Sequence, residues 1–322
     1  MRDVKIGVVG ATGAVGRVTL ELLADRGYER VRAFASTRSA GEQVPFARGS
    51  LVVEEATPEV LAAGGVDVFL FSAGTSVSRT LVPPAVEGGA LVVDKSSAYR
   101  LQDGVPLVVP EVNGDRALDH DGIVANPNCC AIPLTVALKP LHDEAGLRRV
   151  RVATYQSASG AGAATMERLR ATAPGDADLS MDWEFDGEEF DEEEKLREET
   201  RKILELPELP VSATCVRVPV LVGHAEAVWI ETENVLSPDR VGDLLGAAPG
   251  VRVEPFPTPG RAAGGDEVLV GRIRRDRSAD GGLAFFVVCD NLRKGAALNA
   301  IQIAELVLDR TPIGGRATPL AR

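Results

Sequence analysis

The chain has 322 residues, of which 45% are apolar and 25% charged, the balance of a soluble globular protein of about two domains. Its longest uncharged stretch, residues 122–138, holds Asn126, Pro127, Asn128 and Pro133 and is too short and too polar to span a bilayer. The opening MRDVKIGVVG lacks signal-peptide anatomy, so the expected location is cytoplasmic, without a membrane partner. Of the net charge of −12, a net −9 lies within residues 182–199, which reads as one solvated acidic segment, and no basic stripe suits a nucleic acid.

In chain order, residues 4–10 read as a strand and 14–26 as a helix with Val15, Val18, Leu22 and Leu23 on one face. Further strands are expected at 30–36, 66–72 and 90–94, an alternation that argues a parallel, doubly wound sheet. A domain boundary is expected near Ala125, after the short apolar run 123–125. Beyond it, 129–141 reads as a helix, 148–156 as a strand, and 192–206 as a charged helix. Residues 214–232 carry long β-type runs broken by Pro219 and Gly223, which suggests a mixed sheet and an α+β second domain. Residues 249–266 are Pro- and Gly-rich and read as a surface loop. A last strand, 283–289, precedes a helix over 295–308 that Pro312 ends.

Three motifs carry chemistry. Gly10-Ala-Thr-Gly13-Ala-Val-Gly16 stands at the first strand-to-helix turn, where glycines let backbone N–H groups approach a pyrophosphate. After the second strand, residues 35–41 read ASTRSAG with no acid to hold a ribose 2′-hydroxyl; hydroxyls and Arg38 suit a 2′-phosphate, so NADP is the expected cofactor. Asn126-Pro-Asn-Cys129-Cys130 puts a cysteine at a helix start, where the helix dipole favours the thiolate that attacks carbonyls. Cys130, Cys215 and Cys289 read as packed thiols, and the spacing of the four cysteines offers no metal constellation. Of three histidines, His120 and His142 lie in polar surroundings and read as surface residues. His224 follows Gly223, and Arg217 falls within an apolar run where it needs an anion.

Together these segments resemble the aspartate-semialdehyde dehydrogenase family over nearly the whole chain. The matching pieces are GATGAVG (10–16), STRSAG (36–41), DKSSAYR (94–100), VPLVVPEVN (105–113), NPNC (126–129), YQSASGAG (155–162), EKLREETRKIL (194–204), CVRVPVLVGH (215–224) and DNLRKGAALNA (290–300). The chain departs from the family in Cys130-Ala131, where Ser or Thr is common, in a somewhat short length, and in the acidity around 182–192. The resemblance implies an α/β protein: a Rossmann-type doubly wound domain over 1–127, completed by the C-terminal helix at about 293–322, and an α+β catalytic and dimerisation domain over 128–292. It implies NADP-dependent, reversible reductive dephosphorylation of 4-phospho-L-aspartate to L-aspartate 4-semialdehyde. That step serves lysine or diaminopimelate, methionine and threonine biosynthesis. It also implies a homodimer whose partners are a small-molecule substrate and inorganic phosphate.

By the same resemblance Cys129 is the acyl-carrying nucleophile and His224 the acid–base group. Gln156, Arg217 and Glu193 would hold the substrate, Arg217 on its α-carboxylate and Glu193 on its amino group. Arg100 and Lys195 would bind phosphate. Thr12, Gly13, Ala14, Val15, Arg38, Ser39, Ser159, Gly160 and Asn291 would bind the cofactor. The alternatives are an N-acetyl-glutamyl-phosphate reductase, which shares the cysteine logic, and a non-catalytic NADP-binding paralogue, which should have lost the nucleophile.

Overall fold

A computed structural model describes residues 3–172 and 183–310. The chain forms two compact units. One takes the segment up to Thr12, Gly16–Asn126 and the chain from Asn299 onward; the other takes Gly13–Val15 and Pro127–Leu298.

In the first unit, β1 (Ile6–Val9), β2 (Val31–Ala35), β3 (Gln43–Phe46), β4 (Gly49–Glu55), β5 (Val68–Phe71), β6 (Leu91–Asp94) and β7 (Ile123–Ala125) form one sheet. Its order is β3-β4-β2-β1-β5-β6-β7, parallel throughout except for the β3–β4 hairpin. The central strands β1 and β5 are buried at every residue, as continuous apolar runs covered on both faces require. Helices α1 (Ala14–Asp25), α2 (Pro58–Ala62), α3 (Thr75–Glu87) and α4 (Pro110–Asn113) make the crossovers. On α1, Leu22 and Leu23 of the expected face are buried, but Val15 and Val18 are only half-buried, and Gly16, Thr19 and Leu20 complete the buried side. The β3–β4 hairpin was not expected from sequence. It is largely exposed and polar, so its alternation is weak.

The second unit is built on β8 (Leu147–Gln156), β9 (Val211–Arg217), β10 (His224–Thr232), β11 (Val251–Val253), β12 (Val268–Arg275) and β13 (Leu283–Cys289). Their order, β11-β12-β13-β10-β8-β9, is mixed: β8–β9 and β11–β12 are parallel, the other pairs antiparallel. Helices α5 (Ala131–Ala145), α6 (Ala163–Thr172), α7 (Asp191–Leu204), α8 (Pro238–Ala247) and α9 (Pro259–Ala262) belong to this unit, and α10 (Leu298–Arg310) returns the chain to the first.

Three expectations are corrected here. The helix expected over 129–141 starts at Ala131 and runs through Pro140 to Ala145, because Leu138, Leu141 and Ala145 bury its far end; Gly146, at φ +66°, then stops it. Residues 249–266 are not a plain loop, since β11 pairs with β12 and Ala262 of α9 is buried against Ala225, Leu269 and Val288. The last helix begins as a π-helical turn, Arg293–Ala297, before α10. Pro312 lies outside the described residues.

Candidate active site

Cys129 sits on the short loop that leads into α5, and the loop is held by Asn128. The Asn128 main-chain N–H donates to Glu199 at 2.6 Å, and its side-chain amide donates to Glu192 at 2.9 Å. Its Oδ1 accepts from the Cys130 N–H at 2.7 Å and its carbonyl from Ile132 at 3.1 Å, which closes the first turn of the helix. Cys129 is therefore fixed just ahead of a helix N-terminus, where main-chain N–H groups favour an anion. On its other side a Cβ placed on Gly295, in the π-helical turn, would lie 3.4 Å from the Cys129 Cβ.

The remaining groups stand on one face of the mixed sheet. Gln156 pairs with Arg217 across β8 and β9, and His224 pairs with Cys289 across β10 and β13. Ala225 faces Tyr155, so His224 stands beside Gln156 one position earlier, and the four residues form a row across the sheet. His224 is fully buried; its Nδ1 accepts from the Ser157 N–H at 3.0 Å, and its Nε2 has no partner. An acceptor role at Nδ1 puts the ring proton of the neutral imidazole on Nε2. Asn291 fixes the surroundings, its Oδ1 accepting from Ser157 and Ser159 hydroxyls and from the Gly223 N–H at 2.9–3.1 Å. Gly223 needs its glycine: φ is +99°, and a Cβ would meet the Pro259 carbonyl at 2.8 Å.

Arg217 donates through Nη1 to the Ser157 carbonyl at 2.9 Å, while its Nε is buried without a partner. Among the described residues its contacts are that carbonyl and the Trp183 ring, 4.9 Å from its guanidinium carbon, with no carboxylate. A half-buried guanidinium whose buried Nε–H has no partner among the described residues suits an anion that comes from outside the chain. The donor atoms of Cys129, Cys130 and His224 all lie within 4.8 Å of one another. The cysteine spacing does not foretell this convergence, because the contact is tertiary. It sets a thiol beside an imidazole, an arrangement that suits a thiol nucleophile and a proton partner.

Gly160 packs onto this group, since a Cβ there would lie 3.1 Å from both Arg217 Nη1 and His224 Nε2. Its φ is not in the left-handed region, so Gly160→Ala tests space alone. We expect that substitution to lower kcat/KM about tenfold by displacing both side chains a few tenths of an ångström, with the melting temperature nearly unchanged. Equal kcat/KM in steady-state assays would show that the pocket has slack there.

The acidic helix is not simply solvated, which corrects the reading of 182–199. Glu192, Glu193 and Glu199 are buried. Arg197 pairs with Glu189 and Glu198, Arg201 with Glu198, and Lys195 with Asp191 at 2.6 Å. Glu193, expected at the substrate amino group, has both oxygens engaged by main chain: Oε1 accepts from Cys215 and Oε2 from Phe190, at 2.8 and 2.9 Å. Glu192, one residue earlier, is the carboxylate that meets the row, accepting from Gln156 Nε2 at 3.0 Å. One residue is about 100° of helix turn, so the two carboxylates face different neighbours.

In the first unit Gly10, where the glycine turn begins, lines a cleft of about 530 Å³ at the C-terminal ends of β1, β2 and β5. Gly10, Ser36, Thr37, Ala73 and Thr57 line it. Gly10 has φ +82°, and a Cβ there would lie 2.4 Å from the Ser72 carbonyl; Gly16 would meet the Gly10 carbonyl at 2.1 Å. This tight turn, opening beside a cleft at strand C-termini, fits the adenosine half of a dinucleotide. Thr12, Gly13, Ala14 and Val15 stand at the turn; Arg38 and Ser39 lie in the single 3₁₀ turn Thr37–Ser39 after β2, with Arg38 exposed. Arg100 donates to the carbonyls of Asn126 at 3.1 Å and Lys95 at 2.7 Å. His120 and His142 are half-buried, not surface residues: each accepts a main-chain N–H, from Gly122 and Leu147, and closes a turn.

Burial sets the thiols apart. Cys130, Cys215 and Cys289 are buried and their ionisation is pushed above the ordinary thiol range, chiefly by loss of solvent, whereas Cys129 is partly exposed. Iodoacetamide at neutral pH is therefore expected to label one thiol of the four in the folded chain, with peptide mapping placing it at Cys129. Comparable labelling of Cys215 or Cys289 would contradict that order. Of the groups around the nucleophile, sequence reading passed over Glu192, Glu199, Ser157, Trp183 and Glu226; only the Asn128 of the motif gave a local signal.

Residues 5–120 match the family described as semialdehyde dehydrogenase, NAD binding domain, and residues 138–294 that described as semialdehyde dehydrogenase, dimerisation domain. The aspartate-semialdehyde dehydrogenase of Corynebacterium glutamicum is 45% identical, covering 94% of this chain and 99% of the relative. That of Bacillus subtilis is 41% identical over 94% and 97%. Among solved structures, aspartate semialdehyde dehydrogenase II of Vibrio cholerae complexed with ASA superposes with a TM-score of 0.91 at 38% identity, covering 96% of this chain and 99% of that one. The Candida albicans enzyme with NADP gives 0.74 at 29% identity, over 94% and 98%.

Proposed function

The chain belongs to the aspartate-semialdehyde dehydrogenase family, and from that premise we propose how its own residues carry the reaction. The activity is the reductive dephosphorylation of 4-phospho-L-aspartate to L-aspartate 4-semialdehyde in amino-acid biosynthesis, with a nicotinamide dinucleotide as cofactor. The observation that carries the assignment of roles is the convergence of the Cys129 and Cys130 thiols with a buried His224 whose Nε2 has no partner.

Cys129 Sγ attacks the acyl carbon of the acyl phosphate, the carbon–oxygen bond to phosphate breaks, and a thioester forms on the chain as phosphate departs. His224 Nε2–H faces the reacting group and supplies a hydrogen bond to the carbonyl oxygen as negative charge grows on it. Arg217 takes the α-carboxylate, which its orphaned Nε and planar fork suit. Glu192, not Glu193, is the carboxylate placed to meet the substrate's ammonium group, with Gln156 held against it. Arg100 and Lys195 are the proposed phosphate ligands. The cofactor supplies the hydride when bound. Ser159, Gly160 and Asn291, proposed at the cofactor, also pack the His224 surroundings, so their loss should disturb both.

NADP is the proposed form of the cofactor, because the turn after β2 offers Ser36, Arg38 and Ser39. Arg38→Ala is expected to raise KM for NADP by removing charge-assisted bonds worth about 1.5–3 kcal/mol, while NAD use hardly changes. Equal losses with both cofactors would make Arg38 structural. A homodimer is proposed on the second unit, whose sheet leaves Tyr155 and Val216 more than a third exposed on the face away from His224. Among the described residues no helix is long and apolar enough to cross a membrane, and the proposed location is the cytoplasm. The whole reading is tested by phosphate-dependent NADPH formation from L-aspartate semialdehyde, with wild type active and Cys129→Ala inactive.

A further inference from the structure

Beneath the nucleophile lies a carboxyl group that the reaction as written does not use. Glu226 follows His224 by two positions on β10, so both side chains point to the same face of the sheet. Across the sheet it faces Thr154 of β8, which in turn faces Cys215 of β9. Glu226 is 1% exposed, and neither of its oxygens has a hydrogen-bond partner. Its electrostatic neighbours are thiols. Cys129 and Cys130 act on it from the entry to α5, and it acts on Cys215 of β9 and Cys289 of β13. All four cysteines of the chain thus interact electrostatically with this one buried acid. The other charged groups at its borders act on those thiols: Glu192 and Glu193 of α7 on Cys215, and Asp290 and Lys294 on Cys289. No basic side chain pairs with Glu226 itself.

An unpaired carboxylate in that position would forfeit its hydration with nothing in return. It would also stand beside the Cys129 thiolate, and two like charges in a dry pocket suppress one another. Burial, the largest influence, and the Cys129 charge push the ionisation of Glu226 upward, and the Cys130 thiol, which favours the charged form, offsets this only in part. The protonated form has an O–H to give, and the Cys130 side chain interacts both with Glu226 and with Cys129.

We propose that Glu226 is a positioning residue of this reaction, a neutral carboxylic acid that donates to the Cys130–Cys129 sulfur pair and adds no second charge beside the Cys129 thiolate. The inference rests on Cys129 being the nucleophile. It assigns a function to an acid that a purely structural account would leave as a buried, unsatisfied defect. It also gives Cys130 a part, as the thiol through which the acid reaches the nucleophile.

The test is the pH dependence of iodoacetamide labelling of Cys129 in the full chain, located by peptide mapping, for wild type, Glu226→Gln and Glu226→Met. Gln keeps a neutral donor and should keep the wild-type midpoint. Met fills the space without a donor and should raise the midpoint by about one pH unit, lowering kcat with KM little changed. A midpoint lowered in Glu226→Gln would mean that Glu226 is ionised in the wild type and would overturn the proposal. A Met variant matching the wild type would reduce Glu226 to space filling and overturn it equally. Should the Met variant fail to fold, the infrared difference spectrum between wild type and Glu226→Gln decides: the carbonyl stretch of a protonated carboxyl group must be present in the wild type at neutral pH, and its absence sinks the idea. Labelling that maps to a residue other than Cys129 would instead defeat the assignment of the nucleophile.

Discussion

Cys129→Ser is expected to bind the dinucleotide as the wild type does and to lose turnover by about 10³-fold or more. The substitution keeps the side-chain shape, so the loop held by Asn128, Glu192 and Glu199 should stay in place. What is lost is ionisation. A hydroxyl at a helix N-terminus does not become an alkoxide near neutral pH, whereas a thiol there becomes a thiolate. The same loop explains why Cys130→Ala should act differently. Cys130 is fully buried behind Cys129, so its removal should cost stability, about 1 kcal/mol for a small cavity, and only modestly slow the chemistry. Cys215→Ala and Cys289→Ala should likewise lower the melting temperature before they touch kcat. Thermal unfolding and single-turnover assays on the four variants separate the outcomes. Substantial activity in Cys129→Ser with none in Cys130→Ala would move the nucleophile to the next residue.

The parts of the site that sequence reading reached were those coded locally. The glycine turn after β1 and the Asn-Pro-Asn-Cys run each place their candidate residues within a few consecutive positions, and strand-to-helix punctuation locates them. The acidic helix shows where such reading stops. A run of consecutive glutamates gives no sign of which one turns inward; only packing of α7 on β9 commits Glu193 to the Cys215 N–H and leaves Glu192 to Gln156. Glu226 was hidden for the opposite reason. It sits in an alternating apolar run, HAEAVWIET, where it occupies a position that the pattern assigns to the buried face. The period-two rule was right about direction, and the residue type was what the rule could not explain. Gly160 was read as a cofactor position from its motif, yet its contact with His224 and Arg217 depends on the 3₁₀ turn being stitched to the 218–222 loop by Ala158 and Ser159 N–H groups, at 2.8 and 3.0 Å to Val220 and Leu221. Contacts between a turn and a loop some sixty residues later leave no periodic trace.

His224 and Arg217 stand seven positions apart and are expected to fail in different ways. Arg217 meets a carboxylate charge that is present in substrate and transition state alike, so Arg217→Lys should weaken binding and also misplace the reacting carbon. Lysine cannot restore it, since an ammonium group lacks the planar fork. His224 acts only as charge moves. Its Nδ1 is held by the Ser157 N–H, which commits the proton to Nε2, and Nε2 has no other partner among the described residues. Removing that one donor should therefore leave KM nearly as it was and lower kcat by roughly 10²–10⁴. His224→Asn sharpens the case: an amide can still donate a hydrogen bond but cannot carry a proton through the cycle. If hydrogen bonding alone were needed, Asn would recover most of the rate; if proton movement is needed, Asn and Ala should be about equally slow. Steady-state kinetics on His224→Ala, His224→Asn and Arg217→Lys distinguish these cases, and a near-normal kcat for His224→Ala would remove this histidine from the chemistry and leave its buried, unpartnered Nε2 without a purpose.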